Sequence, residues 1–194
     1  MQKQSPAQPS LAAFPRRIAI AGTSGAGKST LGRRLAALGG VPYVELDALH
    51  WEPGWRHAEG DVFRGRVTDA LAGAGWVVDG NYAVVRDLTW GAADHLIWLD
   101  YAFPRVIWQL TRRTVRRRIG GEELWNGNRE RLREFFFSRE SLYLWVIQTH
   151  WKHRRTYPEW FARFPRLRVT RVRSPRALER HVALLATLPR ACER

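Results

Sequence analysis

Short apolar runs alternate along this chain with segments whose apolar residues recur at helical spacing. Residues 17–22 are mostly apolar and end in glycine, which is typical of a buried strand. Leucines recur at helical spacing in residues 28–38, and Gly39-Gly40 then end the predicted helix. The same criteria predict further strands at 42–47, 76–79, 95–100 and 167–172, and helices at 59–74, 104–119, 139–156 and from Ser174-Pro175 onwards. This alternation favours an α/β fold whose parallel sheet is covered on both faces.

The chain has 194 residues, which is the size of one domain. We expect a disordered polar tail at residues 1–15 and a single domain at 16–188. No apolar run is long enough for a membrane span or a signal peptide, so we expect no membrane partner. The one cysteine, Cys192, excludes a disulfide framework, and a cytoplasmic location is the natural expectation.

Positive charge is concentrated in the second half of the chain. Residues 104–180 contain 20 basic and 7 acidic residues, a net charge of +13, whereas the whole chain carries +14. Such asymmetry indicates an anionic partner, namely nucleotide phosphates, nucleic acid or a lipid surface. The alternative is a set of solvated arginine faces without a partner.

The strongest chemical signal lies between the first predicted strand and the first predicted helix. Gly22 to Ser29 reads GTSGAGKS and fits the pattern G-x-x-x-x-G-K-[ST] in its required strand–helix context. Backbone N–H groups of such a loop surround phosphate oxygens, and the helix directs its positive dipole end at them. We therefore predict that Lys28 reaches the β- and γ-phosphates of ATP and that Ser29 is a ligand of Mg²⁺. The predicted nucleotide-binding residues are Gly22, Gly25, Ala26, Gly27, Lys28, Ser29 and Thr30.

Three aspartates end predicted strands, at the sheet edge where ligands collect in α/β folds. Asp79 is the first choice for holding Mg²⁺, through water. Asp47 is a candidate to accept a proton from a substrate hydroxyl or to orient that hydroxyl. Asp100 ends a strand expected nearer the sheet edge and is interpreted as a loop cap.

Together these residues resemble the nucleoside-monophosphate kinase branch of P-loop proteins, and most closely the adenylate-kinase-like proteins known as topology-modulation proteins. Besides the phosphate loop, the motifs that carry the resemblance are ELDALHW (45–51), PGW (53–55), WVVDGNY (76–82), RDL (86–88) and LWNGNRE (124–130). The likeness covers roughly residues 16–180. It implies a three-layer α/β/α P-loop NTPase fold with a five-stranded parallel sheet, a substrate-binding helical insert and an arginine-bearing lid. Asn81-Tyr82 depart from the family, which usually has Phe-Pro-Arg after Asp-Gly.

The resemblance also implies roles for arginines. Arg86 falls where nucleotide kinases keep an arginine for the substrate phosphate. Arg112 and Arg116 fall near the arginines that open the lid, and the alternative register is Arg113 and Arg117. The lid itself is expected at about 119–138. Arg154 and Arg155 are further candidates for its anion site, the alternative being a solvated helix end.

Aromatic residues cluster just after Asp47. His50, Trp51 and Trp55 can stack on a base or a sugar, which predicts a substrate pocket with Asp47, His50, Trp51 and Arg86 as its residues. A local hydrophobic cluster is an equal alternative. Ten tryptophans beside many arginines also suggest stacking on nucleic-acid bases. No nucleic-acid-binding module is recognisable, and we expect core packing to explain most of the tryptophans.

These patterns predict an Mg·ATP-dependent kinase acting on a small acceptor, most like a nucleotide or nucleoside kinase. Its predicted catalytic residues are Lys28, Asp47, Asp79, Arg112 and Arg116. The alternative hypothesis is an ATP-binding, nucleic-acid-associated regulator that docks through the basic half. The sequence leaves the acceptor and the oligomeric state open.

Overall fold

A computed structural model describes residues 13–120, 126 and 142–190. The expected lid at about 119–138 lies almost entirely outside the described residues. In chain order the elements are β1 (Arg17–Gly22), α1 (Lys28–Gly39), β2 (Tyr43–Glu45), α2 (Leu46–His50), β3 (Trp51–Glu52), β4 (Arg56–His57), α3 (Gly60–Ala70), β5 (Trp76–Asp79), a 3₁₀ turn (Ala83–Val85), α4 (Arg86–Thr89), β6 (His95–Leu99), α5 (Phe103–Gly120), α6 (Leu142–Ala162), β7 (Arg168–Val172) and α7 (Pro175–Ala186).

Five strands form one parallel sheet in the order β2-β5-β1-β6-β7, which confirms the predicted sheet. Because β1 lies in the middle, the loop that follows it opens at the centre of the carboxyl edge. Register pairs Glu45 with Asp79 and Ile20 with Asp79 across neighbouring strands. The carboxylates that end β2 and β5 therefore lie side by side next to the phosphate loop.

Alternate residues of each strand build two cores, one on each face of the sheet. Ile18 and Ile20 of β1 pack in one core with α1, α5 and α7, while Ala19 and Ala21 pack in the other with α3. Helix α6 contributes to both cores, through Val146 in the first and Tyr157 in the second. This helix therefore passes from one face of the sheet to the other.

The end of one strand and the end of one helix differ from the prediction in ways that affect the site. Strand β2 ends at Glu45, so Asp47 lies in the short helix α2 rather than at the end of a strand. Helix α6 continues to Ala162 and includes Pro158, so the basic residues 150–155 lie within the helix and not at its end. Near the N-terminus, Phe14 is buried in the core and its N–H donates to the Pro189 carbonyl, so packing begins before residue 16.

Core packing explains only some of the tryptophans. Trp76, Trp90 and Trp98 are buried as expected. Three others lie outside the core, namely Trp108, Trp145 and Trp151, which are 55%, 41% and 52% exposed. These three lie on α5 and α6, whose apolar positions are only partly covered by the rest of the described chain.

Candidate functional site

The loop after β1 has the backbone geometry of a phosphate cradle. Gly25 and Gly27 have φ angles of 85° and 90°, which L side chains rarely adopt. The Ala26 N–H donates to the Thr23 carbonyl at 3.0 Å and closes a turn. Gly27 caps α1 without a side-chain hydrogen bond, so the N–H groups of the first helical turn remain open to an anion. Lys28 begins this helix.

Helix α5 packs directly on this loop. A Cβ on Gly25 would lie 3.0 Å from Leu110 Cβ and 3.1 Å from the Val106 carbonyl oxygen. Both residues are fully buried against the loop. Glycine at position 25 is therefore required by its φ angle and also by the close approach of α5.

Asn81, in the segment that follows β5, fixes the start of the loop. Its Nδ2 donates to the Gly22 carbonyl at 2.6 Å, and its Oδ1 accepts from the Gly22 N–H at 3.3 Å. The Asn81 side chain thus makes the two hydrogen bonds to the Gly22 backbone that a neighbouring strand would otherwise make. Sequence reasoning treated Asn81 only as a departure from a family motif and missed this function.

Ser29, Glu45 and Asp79 meet at the carboxyl edge of the sheet. The Ser29 hydroxyl donates to Glu45 Oε1 at 2.9 Å. Asp79 is 3% exposed, and its Oδ2 has no hydrogen-bond partner within the described part of the chain. Glu45 was not predicted, although its position at the end of the YVE strand is the signal that could have found it.

These groups fit a magnesium ion shared with a nucleotide. A serine hydroxyl and an orphaned carboxylate oxygen are oxygen ligands of the kind Mg²⁺ takes, usually with only one or two carboxylates plus substrate phosphates. Over residues 13–120, 126 and 142–190, no three His, Cys, Asp or Glu side chains are grouped as an all-protein metal centre. Phosphate oxygens and water would therefore have to complete the coordination.

Burial makes this site sensitive to charge. Desolvation raises the pKa of Asp79 to about 6, and Lys28 opposes that rise while Glu45 and Asp47 add to it. Desolvation and the Asp79 carboxylate also raise the pKa of Tyr43, which lies beside Ser29. A cation next to Asp79 would hold the carboxylate in its charged form.

Asp47 is held by a residue that sequence reasoning did not assign. Tyr82 Oη donates to Asp47 Oδ1 at 2.6 Å. The predicted substrate residue His50 packs against Tyr82 and shares a 2.8 Å hydrogen bond with His57. The ring of Trp51 lies over His57. His50 and Trp51 are thus part of an aromatic cluster close to Asp47, and both are only partly buried.

Arg86 lies between two indoles. Its Cζ is 4.7 Å from the Trp90 ring centre and 4.3 Å from that of Trp160. Its buried Nε has no hydrogen-bond partner among the described residues. Burial, together with Arg163, lowers its pKa, while Tyr157 opposes the shift.

Asp100 has a different setting from the one predicted. It follows β6, which pairs with β1 and β7 and is therefore not an edge strand. Its carboxylate accepts from Arg154 Nε at 2.6 Å and from Arg171 Nε at 2.8 Å. Arg154 also donates to the Tyr101 carbonyl, so this arginine anchors α6 to the sheet. Arg155 is exposed.

The arginines of α5 divide into two pairs. Arg112 and Arg116 are exposed, and Arg112 lies over the exposed Trp108 ring at 5.4 Å. Arg113 and Arg117 are half-buried and follow Leu110 by three and seven positions. Because Leu110 faces Gly25, the second pair lies on the side of the helix that continues from the phosphate loop.

Comparison with known proteins identifies the fold. No protein-family model matches this chain, and no curated protein is similar to it in sequence. Among solved structures, a gluconokinase from Sinorhizobium meliloti 1021 is similar, with a TM-score of 0.51 and 21% identity over 90% of this chain and 93% of that chain. At this identity the likeness shows the fold alone, and the specific adenylate-kinase-like family stays a prediction. None of the helices in the described residues is long and apolar enough to span a membrane. The chain has the five-stranded α/β architecture of the P-loop kinase fold.

Proposed function

We propose that this protein is an Mg·ATP-dependent kinase that transfers the γ-phosphoryl group to a small-molecule acceptor. The observation that carries the proposal is the glycine-rich loop before Lys28-Ser29, placed beside the buried and orphaned oxygen of Asp79. The fold shared with a gluconokinase supports it. The acceptor predicted from sequence, a nucleotide or nucleoside, remains part of this proposal.

Each part of the site has a task in phosphoryl transfer. The loop from Gly22 to Thr30 binds the triphosphate through its N–H groups, and Lys28 neutralises the β- and γ-phosphates. Ser29 and Asp79 hold Mg²⁺, directly or through its water, and the ion when bound offsets phosphate charge. Glu45 keeps the Ser29 hydroxyl oriented.

Asp47 and Arg86 position the acceptor. Asp47 receives or orients the proton of the attacking hydroxyl, while Tyr82 fixes the carboxylate for that task. His50 and Trp51 form the nearby wall of the acceptor pocket.

Charge on the moving phosphoryl group requires arginines from α5. Sequence reasoning favoured Arg112 and Arg116. We now favour Arg113 and Arg117, because they continue the face of α5 that covers Gly25. An arginine-bearing lid over this cleft would exclude water, so that transfer is faster than hydrolysis.

The direct test is a transfer assay with purified protein. Mg·ATP is incubated with separate nucleosides, nucleotides, sugars and sugar acids, and each acceptor is inspected by mass spectrometry for a gained phosphoryl group. We expect transfer to at least one acceptor, and its loss in Asp79→Asn. If no acceptor gains a phosphoryl group from wild-type protein, the proposal is wrong.

A further inference from the structure

Three buried polar groups lie together on the side of α6 that faces α4. His153 stacks on Tyr157, with ring centres 4.6 Å apart. Tyr157 contacts Trp90 at 5.5 Å, and Trp90 in turn lies against the Arg86 guanidinium. Arg86, His153 and Tyr157 are therefore joined by a continuous set of ring contacts that runs through Trp90.

One polar atom of each group has no hydrogen-bond partner among the residues that the structure describes. Arg86 Nε, His153 Nδ1 and Tyr157 Oη are all buried without a partner in the part of the chain that the structure describes. Tyr157 is only 1% exposed. Buried polar atoms are nearly always paired in folded proteins, so three neighbouring exceptions require an explanation. Stacking on indoles stabilises the Arg86 cation but satisfies none of these atoms.

A partner that accepts hydrogen bonds and carries negative charge fits these groups and their cationic surroundings best. Arginine and tyrosine both present donors, and neutral histidine can donate from Nδ1. Burial, together with the Lys28 and Arg86 cations, lowers the pKa of His153 to about 4, so the ring is neutral at pH 7. The surroundings are cationic, since Arg163 lies over the same Trp160 ring that contacts Arg86. A phosphate or carboxylate group answers both requirements.

We propose that Arg86, His153 and Tyr157 form the binding site for an anionic group of the acceptor, either a phosphate monoester or a carboxylate. That the bound anion is part of a phosphoryl acceptor depends on the proposed function, whereas the anion site itself depends on the contacts described above. His153 and Tyr157 come from α6, which sequence reasoning treated as part of a basic helix and not as a substrate-binding element. Anionic acceptors are thus selected over neutral nucleosides and sugars.

Calorimetry on the intact protein tests the site with inorganic phosphate and, separately, with acetate. Saturating Mg·AMP-PNP is added first, so that the phosphate loop is filled and the probe reports on a second site. We expect one or both probes to bind, and Tyr157→Phe to weaken that binding about tenfold, because a hydrogen bond to a charged group is lost. The stronger probe shows whether the site prefers a phosphate or a carboxylate.

Tyr101→Phe is the matched control, because Tyr101 is equally buried but lies in the other core. It should leave the affinity for either probe unchanged. Absence of binding to the nucleotide-loaded protein, or equal affinity in Tyr157→Phe, overturns the anion site while the kinase proposal stands. If AMP-PNP itself does not bind, the kinase proposal fails, and the same comparison on the free protein still decides the anion site.

Discussion

The Tyr82 hydroxyl donates a 2.6 Å hydrogen bond to the Asp47 carboxylate. The two residues come from different elements, Asp47 from α2 and Tyr82 from the segment after β5. Their contact fixes the orientation of a carboxylate beside the phosphate loop. A position that departs from the family pattern therefore supports one of the predicted catalytic residues.

Tyr82→Phe should lower kcat/KM for the acceptor about tenfold, because the hydrogen bond that orients a charged group is lost. The KM for ATP should change by less than about twofold, since the hydrogen bond that is lost goes to Asp47 and not to the phosphate loop. Steady-state kinetics with each substrate varied in turn measures both. A larger effect on ATP than on the acceptor would contradict the assignment of Asp47 to the acceptor side.

Asn81→Ala should weaken Mg·ATP binding about tenfold, because two hydrogen bonds that hold Gly22 in place are removed. Asn81→Asp should weaken it further, since it loses the donor to the Gly22 carbonyl and adds negative charge near the phosphates. Calorimetric titration with Mg·AMP-PNP measures the series. Equal affinity in wild type, Asn81→Ala and Asn81→Asp would show that the hydrogen bonds between Asn81 and Gly22 do not shape the loop.

Lys28→Ala should abolish productive use of ATP and leave the fold intact, because Lys28 is partly exposed at the first position of α1. Circular dichroism checks the fold, and the transfer assay checks activity. Lys152→Ala on the exposed face of α6 is the matched control and should keep activity. Near-normal turnover in Lys28→Ala would refute the site.

Lys28→Ala also distinguishes the two functional hypotheses that the sequence suggests, a kinase and a nucleic-acid-associated regulator. A nucleic-acid-associated regulator predicts a salt-dependent affinity for DNA or RNA that survives Lys28→Ala. That hypothesis stays a prediction, which filter binding at low and high salt can decide.

His95 should make stability depend on pH. Burial, with His181 and Arg168 nearby, lowers its pKa to about 3, and its Nε2 shares a 2.8 Å hydrogen bond with Thr170. An unfolded histidine titrates near pH 6.5, so below that pH the unfolded state gains a proton that the folded state does not take up. This contribution is complete above about pH 6.5 and is lost as the pH falls towards 3.

Between pH 7 and pH 5 the loss from His95 should be about 2 kcal/mol. Denaturant unfolding of wild-type protein and His95→Gln at both values measures it. The free energy of unfolding of the variant should fall by about 2 kcal/mol less than that of wild type over this interval. Parallel pH profiles would show that His95 does not titrate as the structure requires.

The sequence by itself determined the parallel sheet, because buried strands and amphipathic helices differ in hydrophobic period. Strands β1 and β5 and helix α1 begin where the pattern predicts them. It also determined the phosphate loop, since Gly25 and Gly27 stand where the backbone needs positive φ angles. These features depend on local residues and their spacing, which a single sequence contains.

Only the tertiary structure decided which side chains meet across elements. Asn81 with Gly22, Tyr82 with Asp47 and Arg154 with Asp100 are separated by 59, 35 and 54 positions along the chain. No periodicity encodes such a separation, because strand order and helix crossing set it. The group of Arg86, His153 and Tyr157 has the same origin, since α6 reaches it only by passing from one face of the sheet to the other.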